Sequence, residues 1–233
     1  MSEETASYNK IDILKKVPIF SGISSKDLEK IVAVTHQRKY RKDSMILIEE
    51  EAGQTMFILM SGQVKISRIS EDGREVILAV MAEGDFFGEL SLLDGQSRSA
   101  NVTVIKDAEM LLINREDFLN LLNEFPQIAI QLLRELAGRM RKSDSQIKSL
   151  SLKNATGKVT GTLHRLAEDI GFPKDNQIII ENLPTQQDLA NMAGTSRETI
   201  SRVLQKLIND KYIVKEGSKL IIIDYERFKK SFI

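Results

Sequence analysis

A chain of 233 residues with 42% apolar side chains is long enough for one large or two ordinary domains and carries the material for hydrophobic cores. Its charges balance at 33 of each sign, so total charge points to no partner, and the absence of cysteine removes disulfides, iron–sulfur clusters and thiolate zinc. The opening MSEETASYNK lacks an apolar signal core, and no run approaches the roughly eighteen apolar residues of a span, so a soluble cytoplasmic protein is expected.

From about residue 45 to 105, turn glycines stand at Gly53, Gly62, Gly73, Gly84 and Gly95, after the first gap one every eleven residues, and they bound the short runs 56–60, 64–69 and 75–81. Such spacing predicts successive antiparallel strands of a jelly roll or barrel, with Glu71-Asp72-Gly73 as a hairpin turn. Met56, Met60 and Met81 read as core filler. Within GDFFGELSLLDGQSRSANV, Glu89 and Arg98 lie nine positions apart, each among small residues. The pair reads either as a binding site for a ligand with two polar parts or as a Glu89–Arg98 salt bridge closing a turn.

Phe125-Pro126 suits a helix start. From there Ala129, Leu133, Leu136, Met140, Ser143, Ile147 and Leu150 form a seven-residue repeat, which calls for a partner helix. The same helix of a second subunit supplies one, giving a two-fold dimer; packing on the chain's own β domain is the alternative. Asp144 then falls one position off the stripe, and Arg139, Arg141 and Lys142 read as a solvated face near the seam.

Beyond about Asn154 the pattern becomes helix, turn, helix and a terminal hairpin over 212–223. In PTQQDLANMAGTSRETISRVLQKL, Gly194 ends one helix and Ser196 caps the next, whose Ile200, Val203, Leu204 and Leu207 face inward. Arg197, Glu198, Ser201 and Arg202 then lie on the opposite face. Arginine reads guanine and glutamate accepts from cytosine in the major groove, while Thr199, Gln187 and Ser196 suit phosphate. An ordinary solvated helix with a Glu198–Arg202 ion pair is the plainer alternative.

On FGELSLLDGQSRSA (87–100) and TSRETISRVL (195–204), the chain resembles the catabolite-activator-type transcription regulators of the Crp/Fnr superfamily nearly throughout, the first stretch being similar to their phosphate-binding cassette and the second to their recognition helix. The resemblance implies an α+β architecture: a jelly-roll-type β-roll sensor over 1–125, a dimerisation helix over 126–153 and a winged helix-turn-helix over 154–233. It implies that the backbone at Gly88 and Leu90 with the Arg98 and Ser99 side chains holds a cyclic phosphate. Glu89 accepts from the ribose 2′-hydroxyl, and Ile66 and Leu78 line the apolar side, both expected to be core in any case. A guanidinium fork suits phosphate, whereas a carboxylate suits a hydroxyl.

Counting back from LKNATGK places Ser143 and Asp144 where family members present two hydroxyls to the adenine amino group. Here the second is a carboxylate, an acceptor that also suits the guanine edge, so cyclic GMP stands beside cyclic AMP as effector, unless Asp144 faces solvent. Arg197, Glu198 and Arg202 imply a TGTGA-like palindrome in duplex DNA, and the segment 171–182 corresponds to a region that contacts RNA polymerase. The alternatives are a regulator that needs no ligand or answers another effector, such as a cyclic dinucleotide, and a module acting on protein partners. With no Walker loop, no nucleophile beside a histidine, and His36 and His164 without partners at metal spacing, neither an enzyme nor a metal site is expected.

Overall fold

A computed structural model describes residues 3–233, with side chains from Lys10 onward. The chain divides into two units, one running up to Arg68 and resuming over Met81–Arg141, the other made of Ile69–Val80 with Lys142–Ile233.

In chain order, α1 (Glu3–Lys16) and α2 (Ser25–Ala33) precede β1 (His36–Tyr40), β2 (Met45–Leu47), β3 (Thr55–Ile69), β4 (Glu75–Met81), β5 (Phe86–Phe87), α3 (Leu90–Asp94), β6 (Asn101–Asn114), α4 (Arg115–Glu124) and α5 (Pro126–Leu152). The strands form one sheet in the order β1-β6-β3-β4, with β2 beside β6 and β5 beside β3. The long strands β3 and β6 pair antiparallel, for example Ile58 with Leu111 and Ile66 with Val102. Alternation sends Phe57, Leu59 and Val64 to one face, where they meet Val102, Val104 and Met110. Met56, Ile58 and Met60 go to the other, against Leu14, Phe20, Leu28, Phe118 and Ile128 of the helices. With both faces covered, the run TMFILM is apolar without alternating, and Met56 and Met60 are core, as their sequence context suggests.

The sheet departs from the expected spacing at two glycines, one of them Gly95, which ends the helix α3 and not a strand. Gly62 does not separate two strands; it lies inside β3 where the pairing register shifts, and its α-carbon faces the backbone of Asp107 and Ala108 so closely that no side chain fits. Gly73 does close a hairpin, its N–H bonding Ser70 O at 2.8 Å. Leu78 is 38% exposed, contrary to the core position expected of it, because β4 turns Ile77 and Val80 inward instead.

In the second unit α6 (Ala155–Ile170) is followed by β7 (Phe172–Lys174), β8 (Gln177–Ile180), α7 (Gln186–Ala193), α8 (Arg197–Asn209), β9 (Ile213–Glu216), β10 (Lys219–Ile222) and α9 (Tyr225–Phe232). The hairpin expected over 212–223 is β9–β10, but it is not terminal: α9 follows, capped by Asp224. The segment 171–182 holds β7 and β8, which join β10 and β9 in a four-stranded antiparallel sheet. α6 packs on α7, α8 and α9.

The stripe on α5 splits into two. Ile128 and Leu132 are buried and Leu136 packs beside them on the β-roll core. Ile130, Leu133, Met140 and Ile147 are exposed along a second line that passes through Ala137 and Asp144. Asp144 is therefore in the exposed apolar line, not beside it, and Leu150 lies against Gly194.

Candidate functional site

The cassette begins where β5 ends. Gly88 takes φ +82°, in the left-handed region, and a Cβ there would stand 3.0 Å from both Thr55 O and Arg98 Nη1. The turn leads into α3, which ends at Gly95. Arg98 folds back beneath it: Nη1 donates to Gly88 O and Nη2 to Thr55 O, both at 2.8 Å, with Ser91 Oγ at 3.5 Å from Nη1. The Arg98 backbone is strapped to the preceding loop, donating to Glu51 O at 2.8 Å and accepting from Glu50 N at 2.9 Å. Burial lowers the guanidinium pKa, with the Glu89 charge opposing it. A guanidinium carries five N–H donors, more than these contacts use, so Arg98 retains capacity for an anion.

Glu89 is only 2% exposed, and it does not pair with Arg98. Its partner is Arg139 of α5, whose Nη1 donates to Glu89 Oε1 at 2.9 Å while Nη2 donates to Phe86 O at 2.7 Å and the guanidinium lies 4.4 Å from the centre of the Phe86 ring. Burial pushes the Glu89 carboxyl above its ordinary range, with Arg139 the main opposing influence. Arg139 is thus no part of a solvated face. It continues the inward row Ile128, Leu132, Leu136, and that phase is the sequence signal that marks it.

These groups line one cavity of about 100 Å³. Gly88, Glu89, Leu90, Arg98, Ser99 and Ile66 all border it, joined by Arg139 and Ser91, which sequence reasoning missed, and by the apolar side chains of Leu47, Met81 and Phe87. Leu78, Ser143 and Asp144 are not in its lining. Gly53 has a role its turn-like spacing conceals: a Cβ there would come within 2.5 Å of Arg98 Cζ and 2.7 Å of Ser91 Cβ. The cavity therefore offers an anion-binding fork, a buried acceptor and an apolar wall to one small ligand.

In the second unit, Thr185 and Asp188 make a reciprocal capping box that starts α7, and Gly194 ends it in the left-handed conformation. Ser196 accepts from Thr199 N at 3.2 Å to start α8. Ile200, Val203, Leu204 and Leu207 are buried, while Arg197, Glu198, Ser201 and Arg202 are exposed on the other face. Glu198 forms no ion pair with Arg202; its own backbone N–H and the Ser196 hydroxyl hold its carboxyl below the usual range. Gln187 is exposed on α7 and bonds Asn191 at 3.0 Å. Two helices across a glycine turn, followed by the β9–β10 wing, form a winged helix-turn-helix.

A β-roll with a phosphate-type cassette, a long helix and a winged helix-turn-helix define the architecture of a sensor-linked DNA-binding regulator. Residues 37–125 match the cyclic nucleotide-binding domain family, and residues 157–231 match the Crp-like helix-turn-helix domain family. The chain is 30% identical to a CRP-like cAMP-activated global transcriptional regulator of Mycobacterium tuberculosis, over 94% of this chain and 98% of that protein. It is 34% identical to a cyclic AMP receptor protein of Thermus thermophilus, over 84% and 88%. Among solved structures it is similar to FixK2 from Bradyrhizobium japonicum, with TM-score 0.75 and 25% identity over 84% of this chain and 96% of that one. The chain belongs to the Crp/Fnr family of transcription regulators, and its relatives are regulators rather than enzymes.

Proposed function

We propose that this chain is a homodimeric, sequence-specific DNA-binding regulator controlled by a cyclic nucleotide, foremost cyclic AMP, bound in the β-roll cavity. The observation that carries the reading is the convergence of Gly88, Glu89, Arg98 and Ser99 on one cavity closed by Arg139 of the long helix. Arg98 and Ser99 take the cyclic phosphate, and Glu89 takes the ribose hydroxyl in a charge-assisted bond. Ile66 and Leu47 face the apolar part of the ligand. Ser143 and Asp144, a position apart on α5, meet the base edge in the assembled dimer. Because Arg139 bridges helix and cassette, a ligand that displaces or shares its bond to Glu89 bears directly on α5.

The exposed line Ile130, Leu133, Met140 and Ile147 is the face taken by a second copy. Two-fold pairing sets the two α8 helices about one DNA turn, roughly 34 Å, apart. Arg197, Glu198 and Arg202 then read a TGTGA-like half-site, with Ser196, Ser201, Thr199 and Gln187 on the flanking backbone. RNA polymerase is the partner expected at the β7–β8 hairpin.

Calorimetric titration with cyclic AMP and cyclic GMP tests the sensor half. Binding that falls roughly ten- to hundredfold in Arg98→Ala, the loss of a charged hydrogen bond of about 1.5–3 kcal/mol, is the expected result. Absence of binding by either nucleotide overturns it. A second reading, a regulator that needs no nucleotide, draws on the buried Glu89 carboxylate being held by Arg139 of the same chain. Duplex binding that is unchanged by either nucleotide is its signature.

A further inference from the structure

We infer that Asp169 is a two-position switch on α6: Lys142 of α5 holds it in the arrangement seen here, and Arg165 of its own helix takes it over when the regulator is activated. The inference rests on the effector-controlled reading and adds to it the side chains that carry the signal onward from α5.

Asp169 Oδ1 lies 2.6 Å from Lys142 Nζ, and the carboxylate is well sheltered, its side chain 14% exposed against 59% for Lys142. Arg165 stands one turn earlier on α6, at the spacing that places two side chains on the same helix face. Its Nε and Nη2 atoms are buried and have no hydrogen-bond partner. Burial lowers its pKa, and the Asp169 charge opposes that shift. A buried donor without an acceptor costs about 1–3 kcal/mol, more when it is charged. The present arrangement thus satisfies Lys142 and leaves Arg165 Nε and Nη2 wanting, although a carboxylate stands one turn further along its own helix.

Exchanging partners reverses the imbalance. Lys142 is exposed, so water takes over its hydrogen bonds at little cost, while Arg165 gains an acceptor in a sheltered setting where a charged bond is strong. Asp169 therefore has two competing cationic partners, one on each helix, which is what a switch element requires. The position is also apt. α5 carries Arg139 and the exposed apolar line, and α6 packs on both α7 and α8. Releasing Asp169 from α5 uncouples α6, and with it the DNA-reading helices, from the long helix.

The test measures binding of the full-length protein to a labelled duplex carrying a TGTGA palindrome, by anisotropy, with and without saturating cyclic AMP. Lys142→Met keeps the stem but removes the charge. It should raise affinity without nucleotide at least about fivefold, the low end of allosteric couplings. Lys142→Arg should restore the low basal value. Arg165→Met should leave basal affinity alone and lower the nucleotide-stimulated affinity by a similar factor. Basal affinity unchanged in Lys142→Met, or Arg165→Met weakening both states equally, overturns the switch. Thermal melting of each variant separates these outcomes from simple unfolding. Should calorimetry show that cyclic AMP does not bind the parent protein, the effector reading fails separately, and the basal affinity of Lys142→Met still decides the switch.

Discussion

Arg98 shows how one side chain comes to be held in the proposed nucleotide site. Its fork is pinned by two backbone carbonyls, its backbone is bonded to Glu50 and Glu51, and its flank is open only because residue 53 has no side chain. Gly53→Ala should push the guanidinium aside while leaving the strands in register. Nucleotide affinity should drop by roughly tenfold or more, the worth of one charge-assisted bond, and the melting temperature should fall with it, because the buried Ser91 Cβ must also shift and Arg98 gives up its bonds to Gly88 O and Thr55 O. An unaltered affinity would mean that Arg98 accommodates a methyl group by rotating and that its seat is looser than it looks. Glu89 leads to a different expectation. Its carboxyl titrates above the ordinary value of 4.5, and only the ionised form is a full acceptor for a hydroxyl. Acidification through that raised pKa protonates it, so nucleotide affinity should fall as pH is lowered from neutral, beginning above 4.5. Glu89→Gln, which cannot titrate, should flatten that part of the profile in a calorimetric pH series.

At the scale of elements, local chemistry decides where helices start. α8 opens on Ser196, whose hydroxyl accepts from Thr199 N and also supports Glu198, and this short-range pattern is fully written in TSRETIS. Ser196→Ala should lower stability by about 1 kcal/mol, Ser196→Gly by only a few tenths, as read by denaturant unfolding. Equal losses would point to a hydroxyl role other than capping. The same locality explains what was legible in the sequence. Cassette and reading helix each depend on residue types within one short stretch, so their placement follows from it. Arg139 was hidden because a basic residue on a helix is ordinary until the phase of its buried row is known. The repeat on α5 misplaced Asp144 because two stripes, one facing the β-roll and one facing outward, run within a few positions of each other and merge in a single seven-residue reading. α9 was missed since eight residues make a marginal helix alone; its supports are tertiary, such as Tyr225 Oη to His164 Nδ1 at 2.8 Å and the packing of Phe228 and Phe232 around Tyr212.

For the molecule as a whole, the question is what covers α5. A helix of 27 residues is about 40 Å long, and along it Leu133, Met140 and Ile147 recur every seven residues, each more than 60% exposed. Isolated exposed leucines are common on protein surfaces, but an ordered line over four turns is a surface shaped for another helix. The same line holds Asp144, and across a two-fold seam its copy would face it, two carboxylates where apolar groups pack best. Two variants therefore pull in opposite directions. Met140→Glu should convert the proposed dimer to a monomer in sedimentation equilibrium and abolish tight binding to the proposed palindrome, leaving only weak, salt-sensitive attachment to a half-site. Asp144→Leu should tighten the dimer, and because that carboxylate also meets the base edge in the proposed complex, it should weaken nucleotide binding at the same time. A dimer that survives Met140→Glu would place the interface on some other face, and the two recognition helices would then need a different geometry to reach successive half-sites.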